Sequence, residues 1–118
     1  MVKRTQAGQI RISNDVLADM VGFAVMECYG VVGTANPNFK AGVSQLLSRD
    51  KLAKGVVVQS SDDVVDVQLY VVVEYGTNLA EVSKNLVERV RYVLDQYAQV
   101  QVGDVGVHIQ DIHVHEKT

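Results

Sequence analysis

His113 and His115 are the residues whose type and spacing come closest to metal chemistry. Two apart on a strand, they would project from one face, and paired imidazoles suit Zn²⁺, Ni²⁺ or Cu²⁺. A structural zinc site takes four protein ligands and a catalytic one three. His108 falls on the opposite parity unless a bulge intervenes, so an exposed polar strand end is expected and no metal site. Asp62, Asp63 and Asp66 crowd a turn without the glycine and terminal glutamate of a calcium loop. Gly30-Val31-Val32-Gly33 has the GxxG form with which KH modules clamp an RNA backbone. Glu74, near Tyr70 and Tyr75, could line a small-ligand cleft, but a glutamate on the wet face of a strand is the plainer reading. The chain has no G-x-S-x-G, no P-loop and no Cys–His pair at a helix start. No catalytic residue and no cofactor are expected.

What must position these residues is one domain, since the chain has 118 residues. We place it at residues 8–115, with short tails at 1–7 and 116–118. With no Trp, five Tyr and two Phe, its core must be built from Val, Leu and Ile. The formal net charge is −3, which argues against a nucleic-acid partner, because phosphate binders display clustered positive charge. The one basic concentration, Lys40, Arg49, Lys51 and Lys54, is diluted by Asp50 and reads as a solvated face. Cys28 is the single cysteine, which excludes an intrachain disulfide, and its apolar helical setting points to a buried thiol. The first eight residues carry two cations with no apolar stretch behind them, and no apolar run approaches the length of a membrane span. A cytoplasmic address without direct membrane insertion is the expectation.

Gln9–Ile12 alternates as a short strand, and Ser13 then offers an N-cap with Asp15 in the first turn. Val16, Leu17, Met20, Val21, Ala24 and Cys28 keep helical spacing to Tyr29, and Gly30 supplies the stop. Phe23, Val25 and Met26 lie off that stripe, so this helix is expected to be buried on more than one side. Ala18 and Gly22 form a small patch where a second backbone could approach, from this chain or another. Val31–Thr34 can form a strand, Asn36-Pro37-Asn38 a turn, Val43–Leu47 a short helix and Arg49–Gly55 a polar connection.

Val56–Ser60 and Val64–Tyr75 flank a three-residue turn and predict an antiparallel hairpin. Val65, Val67, Leu69, Val71 and Val73 share the core face of the longer strand; Asp66, Gln68, Tyr70, Val72 and Glu74 share the other. Asn78 and Glu81 have capping-box form ahead of a helix on Leu79, Val82, Leu86, Val90, Val93, Leu94 and Tyr97. Arg91–Asp95 and Glu81–Lys84 stand at helical-neighbour spacing on its wet face. Val105, Val107 and Ile109 begin a last strand whose parity changes at Ile112 and Val114, which predicts a bulge near Gln110-Asp111 or a covered strand end. A helix between two strands implies a crossover to a parallel neighbour. The fold class is therefore α/β (α+β): a two-layer sandwich, a mixed sheet with two main helices on one face.

Three stretches in this order resemble the alkaline shock protein family of Gram-positive bacteria. They are Gly8-Gln9-Ile10-Arg11-Ile12-Ser13 opening a helix that ends in Tyr29-Gly30-Val31-Val32-Gly33; Lys54-Gly55-Val56 before the hairpin; and Leu69-Tyr70-Val71-Val72-Val73-Glu74-Tyr75-Gly76 leading to Asn78. The resemblance runs from about Gly8 to Val114. It implies a cytoplasmic, non-enzymatic protein of the envelope stress response, acting through self-association and a protein partner that can itself be membrane-embedded. It supplies no catalytic residues. The residues expected to form the contact surface are Tyr70, Val72 and Glu74 on the sheet, with Phe23 and Met26 on the first helix. The rival is burial of Tyr70 and Val72 beneath the loop from Thr34 to Lys54. Two other functions compete: a small KH-like nucleic-acid-binding domain, and a small-ligand-binding or accessory subunit of a metabolic enzyme.

Overall fold

A computed structural model describes residues 2–5, 7–37, 47 and 49–114. The chain opens with a hairpin, β1 (Val2–Thr5) and β2 (Gly8–Arg11), paired antiparallel with Val2 opposite Arg11. The alternation at residues 9–12 thus marks half of a hairpin whose other half is Val2–Thr5. Helix α1 (Asn14–Met26) follows, and the Ser13 hydroxyl accepts from the Val16 amide at 3.2 Å. The helix stops at Met26, short of the expected Tyr29. Glu27 caps it, and residues 27–30 turn the chain through Gly30 at φ +86 into β3 (Val31–Thr34).

The main sheet is built on β5 (Val64–Glu74). Strand β4 (Val56–Ser61) pairs antiparallel with its first half, and β3 pairs antiparallel with its second half along the same edge. Strand β6 (Gln101–His113) runs parallel along the opposite edge. Between β5 and β6 comes α2 (Leu79–Val93), with the Asn78 side chain accepting from the Glu81 amide at 3.1 Å. The odd-numbered residues of β5, from Val65 to Val73, are sealed from solvent against Leu17, Val21 and Val25 of α1 and Leu86 and Val90 of α2. This is the two-layer mixed sheet that the alternation requires.

Two expectations about α2 need correction. A π-helical turn, Leu94–Ala98, continues the helix and changes its phase, so Leu94 and Ala98 stay inside while Tyr97 is 69% exposed. Leu79, in the first turn, is also exposed. The expected bulge in β6 is present: the register with β5 slips between Ile109 and Asp111, and a second slip separates Val102 from Val105. The first slip restores parity, so that Ile112 stands opposite Val73.

Arg49–Gly55 is a 3₁₀ turn rather than an open connection. Its Leu52 is buried against α1, and a Cβ placed on Gly22 would lie 3.3 Å from the Leu52 Cβ. The small patch at Ala18 and Gly22 therefore serves packing within the chain, and α1 is buried on a second side as its composition predicts. The described part of the Thr34–Lys54 segment lies with α1 and β3. Thr34 Oγ1 donates to the Leu52 carbonyl at 2.9 Å, and the Leu47 amide to the Thr34 carbonyl at 2.9 Å. Lys40 and the helix expected at Val43–Leu47, apart from Leu47, lie outside the described residues.

Candidate interaction surfaces

The outer face of the sheet is a hydrogen-bonded polar lattice. Gly103 and Gly106 of β6 have no side chain because Asp66 and Gln68 of β5 lie across them; a Cβ at either position would overlap those polar side chains. Asp66 Oδ1 accepts from the Asp104 amide at 2.8 Å. His108 Nε2–H donates to Gln68 Oε1 at 2.7 Å, and the same ring stacks on Tyr70 with centroids 4.5 Å apart and planes 10° from parallel. Tyr70 is consequently half-buried and held in place. Val72, expected on the wet face, is only 6% exposed; it sits in the central strand between Gly33 of β3 and Asp111 of β6. Glu74 is half-buried opposite His113.

His113 and Glu74 come together, but His115 lies outside the described residues. Among the described residues no three potential ligands converge on a metal. The GxxG motif does not form a clamp. Gly30 occupies the turn while Gly33 is buried inside β3 opposite Val72, so no phosphate-sized loop projects between them.

On α1, Phe23 is 70% exposed and Met26 half-buried, whereas Val25 belongs to the core. Phe23, Met26, Glu27 and Leu52 line a cavity of about 230 Å³. This site is in the helical layer, so the five expected surface residues divide between two faces of the molecule.

Cys28 Sγ donates to the Ala24 carbonyl at 3.6 Å. Burial pushes its thiol above the ordinary range, with Arg89 opposing the rise and Glu27 adding to it. A raised folded pKa means that this group's stabilising contribution is complete below the ordinary thiol range and is lost as pH rises through the folded pKa. The native thiol should react with an aromatic disulfide reagent at neutral pH more slowly than in the urea-unfolded chain, since the thiolate is the nucleophile. Equal rates in stopped-flow absorbance would contradict this placement.

The face of α2 pointing away from the core is more organised than its charge spacing suggests. Arg89 pairs with Glu27 of α1 at 3.0 Å and lies 5.5 Å from the Tyr92 ring centroid. Arg91, spaced for Asp95 along the helix, donates instead to the carbonyls of Val102 (3.2 Å) and Gly103 (2.6 Å) in β6.

A third surface escapes the sequence reading. The Glu74 amide donates to the Gly30 carbonyl at 2.8 Å, and the Tyr75 amide to the His113 carbonyl at 2.9 Å. These bonds gather the turn after α1 and the ends of β5 and β6 at one tip, from which the chain runs into α2. Exposed there are Tyr29 (81%), Tyr75 (71%), Leu79, Ile112 and Val114. The available signal was Tyr29-Gly30 and Tyr75-Gly76: each tyrosine precedes a glycine of positive φ, at a turn where side chains face solvent.

A family model for proteins of cell envelope-related function matches residues 2–114. The chain belongs to the alkaline shock protein 23 family. It is 36% identical over 112 residues to the uncharacterized protein YloU of Bacillus subtilis (strain 168), covering 94% of this chain and 93% of that one. It is 40% identical over 111 residues to the uncharacterized protein Spy1614 of Streptococcus pyogenes serotype M6, covering 93% and 92%. A second B. subtilis relative, the uncharacterized protein YqhY, is 27% identical over 113 residues, covering 96% and 83%. No solved structure matches. For this member of the alkaline shock protein 23 family, none of the described helices is long and apolar enough to cross a membrane.

Proposed function

We propose that this chain is a non-catalytic component of cell envelope homeostasis that works in the cytoplasm through self-association and protein contacts. It would reach the membrane only through a partner, and that partner can be membrane-embedded. The observation that carries this reading is the tip, where Tyr29 and Tyr75 sit on turns that backbone hydrogen bonds hold in place, with Leu79, Ile112 and Val114 exposed beside them. Groups of this kind mark protein contacts, and aromatic residues dominate the binding energy when they become buried. The family's cell envelope-related function gives such a surface its setting.

The test is light scattering across a concentration series. The average mass is expected to rise with concentration. The Tyr29→Ser/Tyr75→Ser variant should weaken the association by at least about tenfold, the scale set by losing two aromatic anchors. A monomeric mass at the highest soluble concentration would refute self-association. An unchanged curve for the double variant would move the contact away from the tip.

A further inference from the structure

We propose that the N-terminal hairpin of one copy adds to the open edge of β6 in a second copy. This rests on the self-association reading and adds a second contact to the one at the tip. β1 and β2 pair over four residues each, and no other described element packs substantially against them. Two strands alone are marginal in water, so a hairpin held out from its own domain is an element lacking its third strand.

The complementary vacancy is on β6. That strand runs 13 residues and, among the described strands, pairs with β5 alone. Arg91 already engages the carbonyls of Val102 and Gly103 at its start, and Asp66 takes the Asp104 amide. Towards its end the Ile112 amide is satisfied by Asp111 and the His113 carbonyl by Tyr75. Between them, Val105–Gln110 presents an edge longer than a four-residue hairpin strand. Unpaired edges of this kind are templates for strand addition.

The hairpin does not face this edge in its own chain. Asn14 Nδ2 donates to the Val58 carbonyl at 3.3 Å, and Ser60 Oγ donates to Asn14 Oδ1 at 2.9 Å, which seats the root of the hairpin beside β4. Strand β5 stands between β4 and β6. The open edge within direct line belongs to another copy. Because the two meeting surfaces differ, each added copy leaves one hairpin and one edge free, and the product is an open series rather than a closed pair.

Charge selects the same pairing. The first twelve residues contain Lys3, Arg4 and Arg11 and no acid; the remaining chain has eight cations against fourteen acids, a net charge of −6. β6 carries Asp104 and Asp111 without Lys or Arg, and β5 adds Asp66 and Glu74 alongside. Such complementarity steers the hairpin to that edge and makes the contact weaken with salt.

The test is sedimentation velocity on the full chain and on charge-reversed variants, each checked for folding by circular dichroism. The wild type should form species beyond a dimer as concentration rises, and these should fall away in high salt. K3E/R4E/R11E should lose the species beyond a dimer over the same range, as should D104K/D111K. Combining the two sets in one chain should restore assembly. A wild type that stays monomeric throughout overturns both this proposal and the self-association reading. A wild type that assembles while K3E/R4E/R11E assembles equally, or that stops at a dimer, overturns the hairpin exchange and leaves self-association standing.

Discussion

Leu86→Ala is expected to lower stability by about 2–5 kcal/mol, the range for truncating a sealed core leucine. Leu86 lies at the middle of α2, is fully buried, and belongs to the cluster that joins Val67 and Leu69 of the sheet to Leu17 and Val21 of α1. The upper part of the range applies when the surroundings cannot collapse. Here the neighbours are largely β-branched valines fixed on a hydrogen-bonded strand, whose side chains have little freedom to move inward. Glu88→Ala, two residues along on the exposed face, should shift stability by less than about 0.5 kcal/mol. The contrast is measured by urea unfolding at constant m-value. Equal losses would mean that α2 packs on a different face.

The alternation of β5, the capped start of each helix and the parity change in β6 all follow from local periodicity, and each could be read before any coordinates. They fail where tertiary context decides. Val72 has the parity of a solvated residue, yet it is only 6% exposed, paired with Gly33 of β3 on one side and Asp111 of β6 on the other. Leu79 and Tyr97 have the spacing of a core stripe, but one lies in the first turn and the other beyond a change of helical pitch. Val2–Thr5 is a strand because Gly8–Arg11 pairs with it; four residues carry no periodicity of their own. The residues expected to form a contact surface divide in the same way. Phe23 was legible as lying off the α1 stripe but not as exposed, and Tyr70 was legible as outward-facing. Its stack on His108 was not, since it depends on the parallel register across a long crossover. The tip is assembled by backbone hydrogen bonds from the turn at Gly30 and the ends of β5 and β6, so no single stretch announces it.

Gly55→Ala is expected to be among the most damaging small substitutions in the chain. A methyl group there would lie 2.5 Å from the Thr34 Cβ, 2.9 Å from the Ala35 carbonyl oxygen and 3.0 Å from the Ala35 nitrogen. These are backbone and branch-point atoms, so no flexible side chain can swing clear. The Ala35 amide is committed to the Tyr70 carbonyl at 2.8 Å, and the Thr34 hydroxyl to the Leu52 carbonyl at 2.9 Å. Relief therefore requires moving either the edge of the sheet or the 3₁₀ turn, at a cost of about 1–3 kcal/mol or more. Gly76→Ala is the proper comparison: it meets no atom within 4 Å but sits at φ +93, so backbone strain alone should cost about 1 kcal/mol. Thermal melts should rank Gly55→Ala at or below Gly76→Ala. A Gly55→Ala protein that melts like the wild type would show that the 3₁₀ turn can lift off β3. Because Leu52 in that turn rests on Gly22 and lines the cavity beside Phe23, such a shift would also reshape that cavity.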